Sequence, residues 1–448
     1  MFPALLPRGT GHQFLVYGDS CSGVPGGRHE ATFASVNQVA RRLMPDPEFI
    51  AFLGDEIIGL TADEAALRAQ WRYWLDVETN WIDRAKTPVF HTTSNHATYD
   101  VMSERVFTEM LPELPRNGPV GQEGLAYFVR RGDLLLVFIH TSAMALGGEG
   151  HVETEWLERT LAANADARYK LVLGHHPVFP VNGFSGAYQR EIGREYAAPL
   201  WELFVAHDVT AYLCSHILAF DVQVHRGVLQ ITTAGAGTAH RMPEGVEYLH
   251  LVQMALDTDG LRYQVIDIDG VVREALEWPG VLTHTPDWSP VPVGETPVPE
   301  PWAHEPGIRQ WRFRGHAAPR TSGEAETLLE AWSPGPALAP LWIGLTGSAR
   351  KLTVSLAPEP GCSPHAWFGP ELPLHAPFDL VLALHPAMGP GGVLWRHMHE
   401  TSWNTLDGAS PWGPERLPEI SLWSAGHGRG GAEDRPFHGQ GLEIFAGR

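Results

Sequence analysis

Five short stretches of this chain hold groups that can bind metals or move protons. They read Gly18-Asp19-Ser20-Cys21, Gly54-Asp55, Ser94-Asn95-His96, Gly174-His175-His176-Pro177 and Ser215-His216. Each follows a largely apolar run, HQFLVY, EFIAFL, PVFHTT, YKLVL or VTAYLC, of the kind that forms buried strands. In open α/β sheets, ligands gather outside the carboxyl ends of the strands. Asp, Asp, Asn-His, His-His and His are therefore delivered to one edge. A single histidine would mean little, because the chain has 23. A converging set of oxygen and nitrogen donors is different. Burying that many carboxylates and imidazoles is costly unless they are paired or hold a metal.

The elements that must position these groups alternate strand and helix through about residue 278. Helical patterns are EATFASVNQVARRL, a longer stretch with Leu67, Trp71, Trp74 and Leu75 on one face, VETEWLERTLAANA, and APLWELFVAH with Pro199 in its first turn. LAYFVRRGDLLLVFIH reads as a hairpin turning at Arg131-Gly132-Asp133. After residue 216 the pattern becomes all-β, with turns at Asp259-Gly260 and Asp269-Gly270.

The order of the five stretches resembles the calcineurin-like metallophosphoesterases, whose pattern is DxH, GDxx, GNH, GHxP and GHxH. Within that superfamily the purple acid phosphatase branch and its bacterial relatives are most similar. The resemblance covers residues 12–275, and SHILAFD lines up with the GHxHAYE form of the last motif. It implies a β-sandwich flanked by helices, with two metals bridged by one carboxylate. Asp55 would be that bridge. Asn95, His175 and His216 would complete one metal shell, Asp19 would belong to the other, and His96 would face the phosphate as general acid.

Three departures from the family pattern matter. Cys21 replaces the DxH histidine, Leu218 the second GHxH histidine, and Ile58 the tyrosine of the purple acid branch. Leucine and isoleucine cannot ligate, so the Asp19 shell is depleted. Cys21 has two readings, a thiolate ligand suited to zinc or iron or a small residue filling the space of a lost ligand. His91 and His176 flank ligand positions, as phosphate contacts or as outer hydrogen-bond partners. Tyr99 is read as lining the pocket, Asp100 as a pocket group or a helix start. Arg190 and Arg194 are read as phosphate clamps or as exposed helix residues.

The chain has 448 residues, a length that suggests two domains. The division expected is a metallophosphoesterase domain at 1–278, a proline-rich linker at 279–307 and an all-β jelly-roll-like sandwich at 308–448. The end of the last part, RPFHGQGLEIFAGR, resembles the final strands of concanavalin A-like and laminin-G-like folds. Those folds often bind carbohydrate, and Trp367, Trp395, Trp403 and Trp412 are the aromatic rings that would stack on sugars. The bland reading of the same four is core or interdomain packing.

Net charge is −20, lysine occurs only at Lys86, Lys170 and Lys351, and no basic stripe suits a nucleic-acid backbone. A phosphate ester would need a bound metal to supply local positive charge. Cys21, Cys214 and Cys362 indicate neither a disulfide framework nor a CxxC zinc site. Cys214 reads as a buried core thiol. No run approaches the roughly 20 apolar residues of a membrane span, and the N-terminus has no signal-peptide pattern. The expectation is a cytoplasmic hydrolase of small phosphate esters with one tight and one weak divalent or trivalent ion (iron, zinc or manganese). The rival expectation is a catalytically weakened, metal-binding homologue that acts as a carbohydrate- or ligand-binding protein. A mononuclear enzyme lies between the two.

Overall fold

A computed structural model describes residues 2–181, 191–238, 248–279, 282, 286–299, 307–319, 323–333, 341–356, 365–374, 376–385, 392–409 and 420–447. Arg190, Cys362 and Trp412 lie outside the described residues, as does the side chain of Arg194. The chain divides into two compact units. The first is Met1–Val222 with Val228–Ala275, and the second is Leu276–Arg448 with Gln223–Gly227.

The first unit has two sheets. In one, β1 (His12–Tyr17), β2 (Ile50–Phe52) and β3 (Val89–His91) run parallel. The strands β10 (His250–Asp257) and β11 (Gly260–Asp267) extend it antiparallel beyond β1. The other sheet begins with the hairpin β4 (Tyr127–Arg131) and β5 (Leu134–Phe138), whose turn holds Gly132 at φ 59°. It continues in parallel through β6 (Tyr169–Leu173) and β7 (Ala211–Cys214) to β9 (Val228–Thr233), beside which lies β8 (Phe220–His225). The two sheets meet at an aromatic seam, where Phe90 lies 5.8 Å from Phe138 and Phe138 stacks on Tyr127 at 4.5 Å.

Helices cover the outer faces. On the first sheet are α1 (Glu30–Ala40), α2 (Glu64–Tyr73) and α3 (Val101–Met110). Asp63 caps α2 by accepting from Ala65 N at 2.9 Å, and Asp100 caps α3 in a reciprocal box with Ser103. The capping reading of Asp100 is the one the structure shows. A π-helical turn, Trp74–Glu78, follows α2, and the extra residue per turn redirects Trp74 and Glu78. Trp74 stacks on Phe33 and meets Phe52 edge-on, while its Nε1 reaches Ser20 Oγ at 3.3 Å. Glu78 accepts from Gly23 N at 2.9 Å. The loop after β1 is thus held from behind.

On the second sheet, α4 (Glu155–Ala163) and α5 (Arg194–Ala206) bury Leu157, Leu161, Leu200, Trp201 and Phe204 against Val137, Val172, Tyr212 and Cys214. Helix α5 starts four residues before the expected Ala198, so Pro199 lies one turn inside rather than in the first turn. Cys214 is fully buried, as expected. No described helix is long and apolar enough to cross a membrane.

The second unit is all-β. One sheet joins β15 (Arg309–His316), β20 (Pro377–Leu384), β21 (Val393–His397) and β25 (Gln440–Gly447). The other joins β16 (Glu326–Trp332), β17 (Leu341–Thr346), β18 (Lys351–Leu356), β19 (His365–Glu371) and β24 (Leu422–Ala425). Both contribute to one core, in which Trp311, Phe313, Leu382 and Ile444 meet Leu329, Ile343, Val354 and Trp367. Trp367 is 1% exposed, so it packs the core and cannot stack on a sugar. Trp395 packs partly buried against the same core, and Arg396 covers the Trp403 ring at 5.0 Å.

The expected linker is partly strand. Residues Trp288–Val291 (β13) pair with β25, and Gly294–Pro297 (β14) pair with β24. The proline-rich composition masked this. Proline lacks an N–H and is confined to sheet edges, and both strands are edges of their sheets. Val291 and Val298 join the second unit's core. Limited proteolysis of the whole chain should therefore leave Trp288–Val298 uncut, with termini mapped by mass spectrometry. Early cleavage inside that span would contradict the pairing.

Candidate metal centre

The loops after β1 and β2 continue the parallel ladder beyond their strands. Asp19 N donates to Gly54 O at 3.0 Å, Cys21 N to Asp55 O at 2.7 Å, and Ser22 N to Glu56 O at 2.9 Å. Asp55 N donates to Ser94 Oγ at 2.9 Å, which adds the loop after β3. Asp19, Cys21, Asp55 and His216 all adopt positive φ, at 64°, 40°, 56° and 66°. Side-chain residues rarely take that conformation, though Asp does so more readily than most. Gly54, at φ 90°, has no such freedom to change, because a Cβ there would lie 2.8 Å from His175 Nδ1.

The expected ligands converge. His175 Nδ1 lies 2.8 Å from Leu53 O and so donates to it. Its Nε2 then faces Asn95 Oδ1 at 3.0 Å, His216 Nδ1 at 3.1 Å and Asp55 Oδ1 at 3.4 Å. Asn95 Oδ1 is also 3.1 Å from His216 Nδ1. Acceptor atoms from four residues thus point at one another. Such an arrangement calls for a positive centre among them, and Asp, Asn and His are a donor set that a divalent ion accepts. Asp55, His175 and His216 form one three-donor group of metal-binding geometry.

The two buried carboxylates behave oppositely. Asp55 is held well below the usual carboxylate range; burial alone would raise it, but the positive charge and hydrogen bond of His175, then His96, outweigh that. Asp19 is pushed up to about 7, first by burial and then by the charge of Asp55. Asp19 Oδ2 accepts from Ser215 Oγ and from His216 N, the latter at 3.0 Å. Asp19 is absent from the three-donor groups formed by the described residues. Its observed contacts hold the backbone of His216 in place.

Cys21 Sγ lies 3.8 Å from Asp55 Oδ2, and these two with His96 form a second three-donor group. Burial, then the charges of Asp55 and Asp19, push the Cys21 thiol well above its ordinary range. Without a cation beside it the group stays protonated. His96 Nδ1 donates to Ile58 O at 2.6 Å, and His96 N to Asp55 Oδ1 at 3.2 Å. Its Nε2 is left 3.9 Å from Asp55 Oδ2, on a side chain 27% exposed. Ile58 therefore serves through its carbonyl. Gly59 permits the approach, since a Cβ there would collide with His96 O.

These groups line a cavity of about 500 Å³ with Arg28, Ile58, Leu60, Leu218 and Thr238. Among its described lining residues, Arg28 carries the one permanent positive charge. Tyr99 lines an adjoining cleft with Asn95, Ser142 and Glu149. Of the two readings of His91, the phosphate contact does not fit its place. It is fully buried, bonded through Nδ1 to Glu56 Oε1 at 2.8 Å, and ringed by Phe52, Trp71 and Trp74. It supports the β3 end rather than reaching the cavity. His176 is also fully buried, on Thr141 Oγ1 at 2.8 Å, with Nε2 3.5 Å from Glu149.

Glu149 was missed by the sequence reading, although its setting, Gly147-Gly148-Glu149-Gly150, is a visible loop signal. It completes a third three-donor group with His176 and His216. Ser215 and Thr238 were also missed, since hydroxyl residues of this kind carry no distinctive pattern.

No protein-family model matches the sequence, and no curated protein matches it. Several solved structures are similar at low identity. One is GAP50, the anchor in the inner membrane complex of Plasmodium, at 14% identity and a TM-score of 0.40, over 60% of this chain and 88% of that one. Another is the purple acid phosphatase PPD1 of yellow lupin seeds, at 14% identity and a TM-score of 0.45, over 60% of this chain and 54% of that one. A third is Vps29 of Entamoeba histolytica complexed with zinc, at 11% identity and a TM-score of 0.29, over 59% of this chain and 98% of that one. Likenesses this loose transfer no residue role, and the chemistry of the centre rests on its own donors.

Proposed function

We propose that this chain is a metal-dependent hydrolase of phosphate esters, with its tight metal shell formed by Asp55, Asn95, His175 and His216. The observation that carries the reading is the convergence of acceptor atoms from those four residues inside a buried pocket. Zinc, iron and manganese all suit oxygen and imidazole donors. Such an ion would supply Lewis acidity toward phosphoryl oxygens and a lowered pKa for an attacking water. His96, anchored through Nδ1, keeps Nε2 on the cavity side, where its doubly protonated imidazolium form would give the Nε2 proton to the leaving oxygen. Arg28, which also lines the cavity, is the cationic side chain available to meet a phosphoryl oxygen.

The Asp19 side is thinner. Asp19 Oδ2 is engaged by Ser215 and His216, Cys21 must lose a thiol proton that its surroundings favour before it can ligate, and Leu218 offers no donor. This depletion also supports the second reading, a binding protein that keeps one metal and has lost efficient turnover. Metal stoichiometry together with turnover of an aryl phosphate separates the two.

Three outcomes are expected. Elemental analysis should find about one tightly held ion per chain, nearly abolished in Asp55→Asn with His216→Ala. Any second, looser equivalent should vanish in Cys21→Ala, and two tight ions in that variant would point to a donor outside this set. His96→Ala should slow hydrolysis by about 10²–10⁴-fold for alkyl phosphates. The loss should be smaller for nitrophenyl phosphate, whose leaving group needs no proton. Equal losses on both would remove His96 from the acid role.

The third outcome concerns pH. In the metal-free protein a proton takes the ion's place. Burial would lower His175, but the charge and hydrogen bond of Asp55, then the charge of Asp19, raise it to about 9. A raised folded-state pKa stabilises at low pH and loses that contribution as pH rises through the folded value. Asp19 loses its share by about pH 7 and His175 by about pH 9. Thermal unfolding with a chelator should therefore show the melting temperature falling between pH 7 and 9, above the range where the depressed His176, His225 and His250 act in the opposite sense. The metal-loaded protein should show little of this fall. An equal fall with and without metal would exclude these groups as the cause.

A further inference from the structure

His216 takes part in two donor groups through different ring nitrogens. Its Nδ1 faces Asn95 and His175 at 3.1 Å each. Its Nε2 lies 3.8 Å from Glu149 Oε1. A neutral imidazole has one lone pair, so only one of these nitrogens can ligate while the other carries a proton. The Nδ1 side holds the richer set, with Asp55, Asn95 and His175 already assembled. The proton therefore belongs on Nε2, the nitrogen that faces Glu149.

His176 leads to the same conclusion. Thr141 Oγ1 accepts from His176 N at 3.4 Å and lies 2.8 Å from His176 Nδ1. The hydroxyl can therefore donate to Nδ1, which leaves the His176 proton on Nε2, 3.5 Å from the same Glu149 oxygen. The His176 and His216 rings are 4.4 Å apart, so one carboxylate faces two imidazole N–H groups.

The loop that carries Glu149 is built to present it. Gly147, Gly148 and Gly150 have φ of 125°, 94° and 84°. Gly150 N donates to Thr141 O at 2.9 Å, and Gly150 O accepts from Gly193 N at 3.0 Å. Both separations from Glu149 are those of charge contacts, and a closing movement of about 1 Å brings them to hydrogen-bond length.

We propose that Glu149 is a positioning residue that receives the Nε2 protons of His216 and His176 and so holds His216 with Nδ1 turned to the Asp55, Asn95 and His175 group. This rests on the metal reading of that group. Outer carboxylates of this kind orient a ligating histidine and raise its donor strength.

The test uses the full chain. Nitrogen-15 NMR of the metal-free protein should show His216 as the Nε2–H tautomer in wild type and in Glu149→Gln, whose amide oxygen still accepts. Glu149→Ala should show a mixture. Competition with a chromogenic chelator should show cobalt or zinc affinity falling about 10–100-fold in Glu149→Ala. Stoichiometry should be unchanged, and Glu149→Gln should recover most of the loss. Unchanged tautomer and affinity in Glu149→Ala overturn the proposal. So does the loss of a whole metal equivalent, because Glu149 would then be a ligand itself. If wild type binds no metal, the metal reading fails, and the tautomer measurement alone decides the role of Glu149.

Discussion

The first unit is organised around an electrostatic debt at one sheet edge. Asp19 and Asp55 are both buried, and two histidines and an asparagine turn acceptor atoms toward the same point. Low dielectric makes such a cluster unfavourable unless a positive charge enters it. The protein meets this in graded fashion. Asp55 keeps its charge because His175 can hold a proton, and Asp19 tends to protonate because it is buried, and then because the charged Asp55 lies beside it. The surrounding fold serves this arrangement. The ladder bonds beyond β1 and β2, the π turn behind Ser20 and Gly23, and the Glu56–His91 pair all fix loops that would otherwise separate like charges.

Much of this was legible in the sequence, for a physical reason. Buried strands announce themselves as apolar runs, and polar residues at their ends have nowhere to go but the sheet edge. Asp19, Asp55, Asn95, His96, His175, His176 and His216 could therefore be brought to one edge from their positions, while the grouping of Asp55, Asn95, His175 and His216 into one shell came from the family pattern. The Asp100 cap was legible too, because capping is local chemistry. What escaped was set by side-chain direction. His91 is within reach of the edge in sequence, yet strand alternation turns it inward to Glu56. Glu149 arrives from a loop whose path no periodicity encodes. Asp19 stands at the strand end where it was expected, and one of its oxygens, Oδ2, is taken up by Ser215 and His216.

The second unit shows a different limit. Its strands were recognisable from turn spacing, while the proline-rich stretch before them read as a linker. Composition reports the cost of proline in a ladder, and edges are the one place where that cost is small. Val291 and Val298 were the clue, since two buried valines flanking a glycine turn are worth more to a core than to a tether. Trp367 carries the same lesson in reverse, as an aromatic that resembled a binding group and proved to be packing.

The positive φ angles at Asp19, Cys21, Asp55 and His216 have a consequence for how this protein would drift under selection. A left-handed conformation costs a residue with a Cβ on the order of 1 kcal/mol, somewhat less for aspartate, and glycine none of it. At these four positions the backbone is more comfortable with the side chain removed. Selection for robustness alone, whether in a laboratory screen or in a lineage that no longer needs the chemistry, would favour glycine at the very places where the donors sit. The centre is therefore held against a stability gradient, and its donors would be expected to disappear before the fold does.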